Sequence, residues 1–583
     1  MDFKNKVLVT TALDTSWGEL NQKIIFLGEW CKRFSKRNLW SHLDYETIDF
    51  HWRDRQKLEN DHQYLEDLNE ELLENLAIFL NDFHKLNKSK EYWRVVIGPW
   101  LLVYIPVIWD RWEAITSVMN LNEEMDTYFI NNALFRKPPN DITQFREDHD
   151  SDIWNHSVFA QIIKKRHPKN IHIKKIKASL PKASIVNENT LTNKQKILQF
   201  SARILDSILK IFSNGKQEII FFHSYFPRKD LLYFYFKLRV LPRWHSLLKE
   251  PVKLIDSKDR INLELKTVQG KNDFEEFLIE NILNDIPVAY LEGFDSIREK
   301  IKNIVTAKKI FTANAYIGNE TFKVWAAEQI SLGSKLIISS HGGAFYPKFN
   351  NFDVEEKIAH ERVVWGKEWI QSQTRLPPNK LHYKSDGYEQ KKKILFIDFE
   401  NTRYGFRCQS VPVGPLVLDV FNQNKKFLMG LNAKILRNLK IRPKGLGSWE
   451  TEKRYIHYFG KDIITDKPSM LQDFDDSKIV ICSYPQTSLS ESMFAGIPTI
   501  LLLKKGIWEC QSIFDELFDE LEKASILHFD PIKAALHLEN IYENPKLWWE
   551  SKEVLFARKK FDEICLTIRE NPKNMWVNFF RDI

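Results

Sequence analysis

A strand pattern that starts twice constrains this chain more than any other feature. Lys6–Leu13 (KVLVTTAL) begins near residue one and feeds a loop, DTSWGE, and then a helical pattern. Lys393–Phe399 (KILFIDF) restarts the pattern after a polar, proline-containing stretch over Ser372–Lys393. A short β-rich run that passes into a loop and a helix suits the first strand of a Rossmann-like unit. Two such openings predict two α/β units, and the stretch between them reads as an interdomain linker. The length of 583 residues agrees, because single cores rarely grow beyond roughly 250–300 residues. The expected organisation is a Rossmann-like domain over 1–371 with a helical insertion, a linker over 372–393, a second Rossmann-like domain over 394–540, and a helical tail over 541–583. The two domains should face each other across a cleft.

Further strands support parallel α/β sheets: Glu218–His223 (EIIFFH), Lys335–Ser340 (KLIISS), Arg362–Trp365 (RVVW), Lys478–Cys482 and Thr499–Leu503 alternate with helical patterns. Between Asp61 and Leu86, Leu65, Leu68, Leu72, Leu76 and Leu80 recur at helical spacing. Val95–Trp109 (VVIGPWLLVYIPVIW) is the longest uncharged run. It is short for a membrane span and contains Pro99 and Pro106, so a buried segment is expected.

Charge and cysteine usage narrow the function classes. Lys and Arg number 85 against 78 Asp and Glu, a mild excess with no sustained basic block, so a nucleic-acid groove is not expected. The five cysteines lie far apart without a CxxC pair, which excludes a cysteine-rich zinc site and suits a reducing compartment. The opening MDFKNKVLVTTALDTSW carries Asp2 and no long apolar core, so no signal peptide is expected. A cytoplasmic protein is the expectation. The 40 Phe, 18 Trp and 18 Tyr serve mainly as core, although flat rings also cover the apolar faces of sugars.

Four segments could carry chemistry. In Lys478–Leu503 (KIVICSYPQTSLSESMFAGIPTILLL) a buried strand ends in a Ser/Thr-rich loop, and a helix begins near Ser488. Thr487, Ser488 and Ser490 then sit at a helix N-terminus, where free N–H groups and the helix dipole favour a phosphate. Plain capping is the competing reading, with Glu491 completing a capping box on Ser488. In Ser339–Tyr346 (SSHGGAFY), Gly342 and Gly343 let a ligand approach the backbone, and His341 can act as acid, base or phosphate donor. A glycine turn with a satisfied histidine is the alternative. The loop Asp398–Arg407 (DFENTRYGFR) opens at the carboxyl end of a strand, and an arginine such as Arg403 there can clamp a diphosphate. Arg442 and Lys444 in IRPK follow another strand. In the N-terminal half, Asp14, His51 and Asp54 lie among tryptophans and charges and are candidate bases, with surface salt bridges as the rival explanation. No DxD segment stands in a loop suited to a metal, so no metal is expected.

The segment SLSESMFAGIPTI resembles the nucleotide-binding half of GT-B glycosyltransferases, including those that use CMP-activated acid sugars. TSWGEL, FLGEWC, HWRDR, YWRVVIGPWL and SSHGGAF make the whole chain similar to transferases of O-antigen and other surface-polysaccharide gene clusters. The resemblance implies a GT-B-like fold and metal-independent transfer of a sugar from a nucleotide-sugar co-substrate to a glycan or lipid-linked glycan, with peripheral membrane contact. It implies that Glu491 meets the ribose and that a first-domain residue is the base. GT-B relatives with a histidine near the IRPK position differ from this chain. A CDP-polyol phosphotransferase-like enzyme and a non-catalytic glycan-binding scaffold stay open as alternatives.

Overall fold

In the computed structural model, fifteen strands form three five-stranded sheets, and every pairing within them is parallel. The structure describes residues 6–583 apart from 19, 132–135, 178–196, 198–199, 202–203, 205, 209–215, 243–247, 249–259, 261, 344, 351–353, 382–383, 446 and 569. The first sheet has the order β3-β2-β1-β4-β5, built from Lys6–Val9 (β1), Ile24–Phe26 (β2), Tyr45–Thr47 (β3), Met125–Ile130 (β4) and Ile171–Ile176 (β5). The second runs β10-β9-β8-β7-β6, from Lys216–Phe221 (β6), Thr306–Thr312 (β7), Lys335–Ser339 (β8), Glu361–Val364 (β9) and Gln373–Arg375 (β10). The third runs β12-β11-β13-β14-β15, from Lys393–Phe399 (β11), Leu439–Lys444 (β12), Ser477–Cys482 (β13), Thr499–Leu502 (β14) and Leu527–His528 (β15).

The α/β class is as expected, and the second and third sheets are Rossmann-like units that face each other across a cleft. The stretch 1–371 differs from its expected form, since it holds two sheets where one with a helical insertion was anticipated. The reason lies in strand length. β2 and β3 have three residues each, too few to register as alternation or as an apolar run. β10 falls inside the stretch expected as linker.

Two 30-residue helices, Arg55–His84 and Lys90–Met119, lie between β3 and β4 in sequence. The second is long and apolar enough to cross a membrane, yet 94% of its most apolar window is buried inside the protein. It runs through Pro99 and Pro106. Each proline in a helix interior costs about 3 kcal/mol, and the burial of Trp93, Trp100, Leu101, Tyr104 and Ile105 offsets that cost. Its charged residues are engaged: Arg94 forks onto Glu70 at 2.6 and 2.8 Å. The guanidinium, with Lys357 nearby, holds the Glu70 carboxyl down to about 2 against its burial.

The chain ends by returning to the second sheet. In the helix Pro572–Asp582, Trp576 packs edge-on to Phe226 and Phe311, at 4.9 and 5.6 Å between ring centres, and its indole N–H donates to the Pro377 carbonyl at 3.1 Å. The last helix therefore ties the second sheet to the polypeptide of the third.

The cleft between the second and third sheets

The third sheet reverses its order between β11 and β13. In open α/β sheets, ligands bind outside the carboxyl ends of the strands at such a switch point. Asp398, near the end of β11, fixes this point. It accepts from Tyr455 Oη at 2.6 Å, Ser483 Oγ at 2.7 Å and Asn424 Nδ2 at 2.8 Å. Burial pushes its carboxyl up, and those hydrogen bonds oppose the shift. Ser483 opens the turn after β13, so the carboxylate sets the entry to the helix Thr487–Ala495.

That helix begins one residue before Ser488. Gln486 occupies the N-cap position without capping through its side chain, and its amide instead donates to the Phe345 carbonyl at 3.3 Å. No capping box forms. Ser488 turns inward to Tyr484 Oη at 2.6 Å, and Glu491 lies 3.4 Å from Lys380 Nζ. Ser490 is also buried, and its Oγ has no hydrogen-bond partner among the described residues. Of the expected Ser/Thr set, Thr487 alone lines the cavity.

The loop after β8 meets this helix from the second sheet. Gly343 N–H donates to Thr487 Oγ1 at 2.9 Å. A Cβ on Gly342 would stand 2.3 Å from the same oxygen. Gly343 has φ +87°, in the left-handed region that favours glycine. The two glycines therefore allow two sheets to touch at the cleft floor.

His341 leaves this loop into a cavity of about 380 Å³. Its side chain is solvent-accessible within the cleft although protein surrounds it. That enclosure lowers the imidazole below its ordinary value; Glu355 opposes the shift, and Arg362, Lys380 and Arg407 reinforce it. The shift favours the neutral ring.

Three arginines reach the same cavity from three directions. Arg146 comes from the helix Ile142–Asp148 of the first unit, Arg362 from β9, and Arg407 from the loop after β11. Burial, with the neighbouring Arg146 guanidinium, pushes Arg407 down to about 9. Burial lowers Arg146 as well. Two cations held together in a partly desolvated space are disfavoured unless an anion joins them. Glu355 is the one carboxylate among the described lining residues. A helix N-terminus and guanidinium groups converge on the cavity, a chemistry that suits an anion. Among the described residues, no group of three or more His, Cys, Asp or Glu side chains could hold a metal ion.

The family model described as LIC12162 family transferase matches residues 6–580. The chain belongs to the LIC12162 transferase family. No curated protein matches it. Among solved structures, it is similar to the crystal structure of Acinetobacter baumannii MurG, at 12% identity over 50% of this chain and 77% of that one, with a TM-score of 0.31.

Of the remaining sequence-derived candidates of this LIC12162-family transferase, those with described side chains lie away from the cavity lining. Asp54 caps the helix Arg55–His84, accepting from the Gln56 and Lys57 N–H groups at 3.0 and 3.1 Å. This is the ordinary use of an aspartate before a helix. Asp14 pairs with Lys36 at 2.9 Å. His51 is buried, with Nε2 3.1 Å from Asp110 Oδ1. Arg403 is buried between units and donates to Asp152 Oδ1 at 2.8 Å and to the Trp30 carbonyl. Arg442 is held by Asp473 and by the Lys467 carbonyl, the latter at 2.6 Å. The Lys444 side chain lies outside the described residues. Sequence reasoning missed Arg146, Glu355 and Arg362 as site residues. Glu355 follows the glycine loop in the acidic run DVEEK, which is a usable signal. Arg146 has no local signal.

Proposed function

We propose that this transferase is a metal-independent, GT-B-like glycosyltransferase. It moves a sugar from a nucleotide-sugar donor to a bacterial surface glycan of the O-antigen type, at the cytoplasmic face of the membrane. One observation carries the reading: Arg146, Arg407, His341 and the start of the Thr487 helix, uncapped by a side chain, converge on one cavity where two Rossmann-like sheets meet. Donor phosphate would lie against the helix start and the two guanidiniums, which stabilise the charge that grows as it leaves. His341 would donate a neutral hydrogen bond to the sugar or to the transferring phosphate. Glu491, beside Lys380, would face the ribose.

A melting-point panel of CMP, CDP, UDP, GDP and dTDP tests this reading. A ligand that binds the native state raises its stability in proportion to occupancy. At least one nucleotide should raise the midpoint, and Glu491→Ala should reduce that gain while leaving the unliganded midpoint unchanged. A panel without any shift would remove the reading. CMP is the nucleotide to test first, with an acid sugar as its cargo. A phosphodiester in the product mass would assign polyol-phosphate transfer instead.

A lipid-linked acceptor calls for contact with a membrane surface. The helix Arg228–Leu238 exposes Leu232 (62%) and Phe236 (78%), one turn apart. Arg228, Lys229 and Arg239 are exposed around them, and Asp230 is tied to Lys573 at 2.5 Å. An apolar stripe with basic flanks fits the surface of an anionic bilayer. Leu232→Asp combined with Phe236→Asp should cut co-sedimentation with phosphatidylglycerol vesicles by roughly tenfold or more. Undiminished co-sedimentation would place the contact elsewhere.

A further inference from the structure

We infer that Glu355 is the proton acceptor of the reaction, the carboxylate that takes the hydrogen from the incoming hydroxyl. The inference rests on the glycosyl-transfer reading and adds the base, for which the sequence offered, besides His341, the first-domain residues Asp14, Asp54 and His51. Those three are engaged elsewhere, as a surface pair, a helix cap and a buried partner of Asp110. A base must stand in the same space as the leaving group, and Glu355 is the single carboxylate among the described residues that line the cavity.

Its hydrogen bonding sets it apart from a structural ion pair. Glu355 lies 3.5 Å from Arg362 Nη2, longer than an ordinary hydrogen bond. Its Oε2 is buried and has no hydrogen-bond partner among the described residues. Arg362 does not depend on it. That guanidinium donates to Glu356 Oε1 at 3.0 Å and to the Val363 carbonyl at 2.7 Å. Glu356 also accepts from Gln373 Nε2 at 3.0 Å, so the neighbouring acid holds the local structure. A buried carboxylate oxygen kept without a partner in a cavity calls for an explanation, and a substrate hydroxyl supplies one. Glu355 and His341, both from the segment between β8 and β9, also interact electrostatically. His341 belongs to the loop that touches the Thr487 helix, on the phosphate side, which leaves the carboxylate to serve the acceptor.

In the step, the acceptor oxygen forms a bond to the anomeric carbon while its proton passes to Glu355 Oε2. The bond from that carbon to the donor phosphate oxygen breaks, and both its electrons leave with the nucleotide. Arg146, Arg407 and the helix N-terminus meet the charge that departs. Water can replace the acceptor hydroxyl, so slow donor hydrolysis needs the same proton transfer and can be measured before the acceptor is identified.

The experiment measures nucleotide release from UDP-glucose, GDP-mannose, dTDP-rhamnose and CMP-sialic acid by wild type, Glu355→Gln and Glu355→Asp, with calorimetric binding of the free nucleotides alongside. Loss of a general base typically costs roughly 100- to 10,000-fold in rate. Glu355→Gln should show that loss with unchanged nucleotide affinity and melting midpoint. Glu355→Asp should recover part of the rate. Release by Glu355→Gln within fivefold of wild type would overturn the assignment and leave the glycosyl-transfer reading standing. So would an affinity loss that accounts for the whole rate defect, because Glu355 would then be a donor ligand. A wild-type protein inert toward every donor would overturn the parent reading, and this assignment with it.

Discussion

Arg407→Ala is expected to weaken nucleotide binding by about 100-fold. A hydrogen bond to a charged group contributes about 1.5–3 kcal/mol, and each 1.4 kcal/mol is a factor of ten in affinity. Arg407 is the lining cation that belongs to the loop at the switch point of the third sheet, which places it nearest the expected phosphate. Its charge is already disfavoured by burial and by Arg146. Removing it costs affinity when an anion is present, and its contacts in the empty protein are lost with it. Calorimetric titration beside a melting scan separates the two effects. Arg407→Lys should recover part of the affinity, since a lysine keeps the charge but not the planar fork. A large drop in midpoint with unchanged affinity would assign Arg407 to structure alone.

Arg111→Ala should be the most damaging single change to stability. The Arg111 side chain is fully buried in the helix Lys90–Met119. It donates to Asp110 at 2.8 Å, Asn155 Oδ1 at 2.8 Å, the His149 carbonyl at 2.9 Å and the Gly405 carbonyl. Gly405 belongs to the third unit, and a Cβ there would come within 2.5 Å of Asp110 Oδ1, so the two units are fitted closely at this point. Breaking a buried pair by removing one partner costs about 3–5 kcal/mol, because the other charge stays buried and uncompensated. Urea unfolding should show that loss. Nucleotide affinity should fall as well, because Gly405 is two residues from Arg407 and anchors its loop. Destabilisation below about 1 kcal/mol would mean that the His51–Asp110 contact suffices by itself.

The parts of this fold written in local sequence were legible. β8, β11 and β13 are apolar runs followed by turn residues, and all three were placed within a residue or two. The loops that meet at the cleft were legible for the same reason: two glycines after β8 and a Ser/Thr cluster after β13 are local devices. What could not be read is which side chain of a loop faces the cleft. Arg403 and Arg407 stand four residues apart in one loop, yet one is locked against Asp152 and the other lines the cavity. Arg146 joins the site through the docking of the first unit, a tertiary event with no sequence period. The separate first sheet was hidden by strands of three residues and by a core helix that continues through two prolines. Burial of its aromatic face decided that helix against its local propensity.

The central claim is that the junction of the second and third sheets holds the donor phosphate. Crystals grown with whichever nucleotide raises the melting midpoint most would test it directly. The account predicts phosphate density within hydrogen-bond distance of the Thr487 helix N–H groups and of Arg407, with the ribose toward Glu491. Density at Arg403 or Arg442, or anywhere outside the cavity that His341 enters, would contradict it.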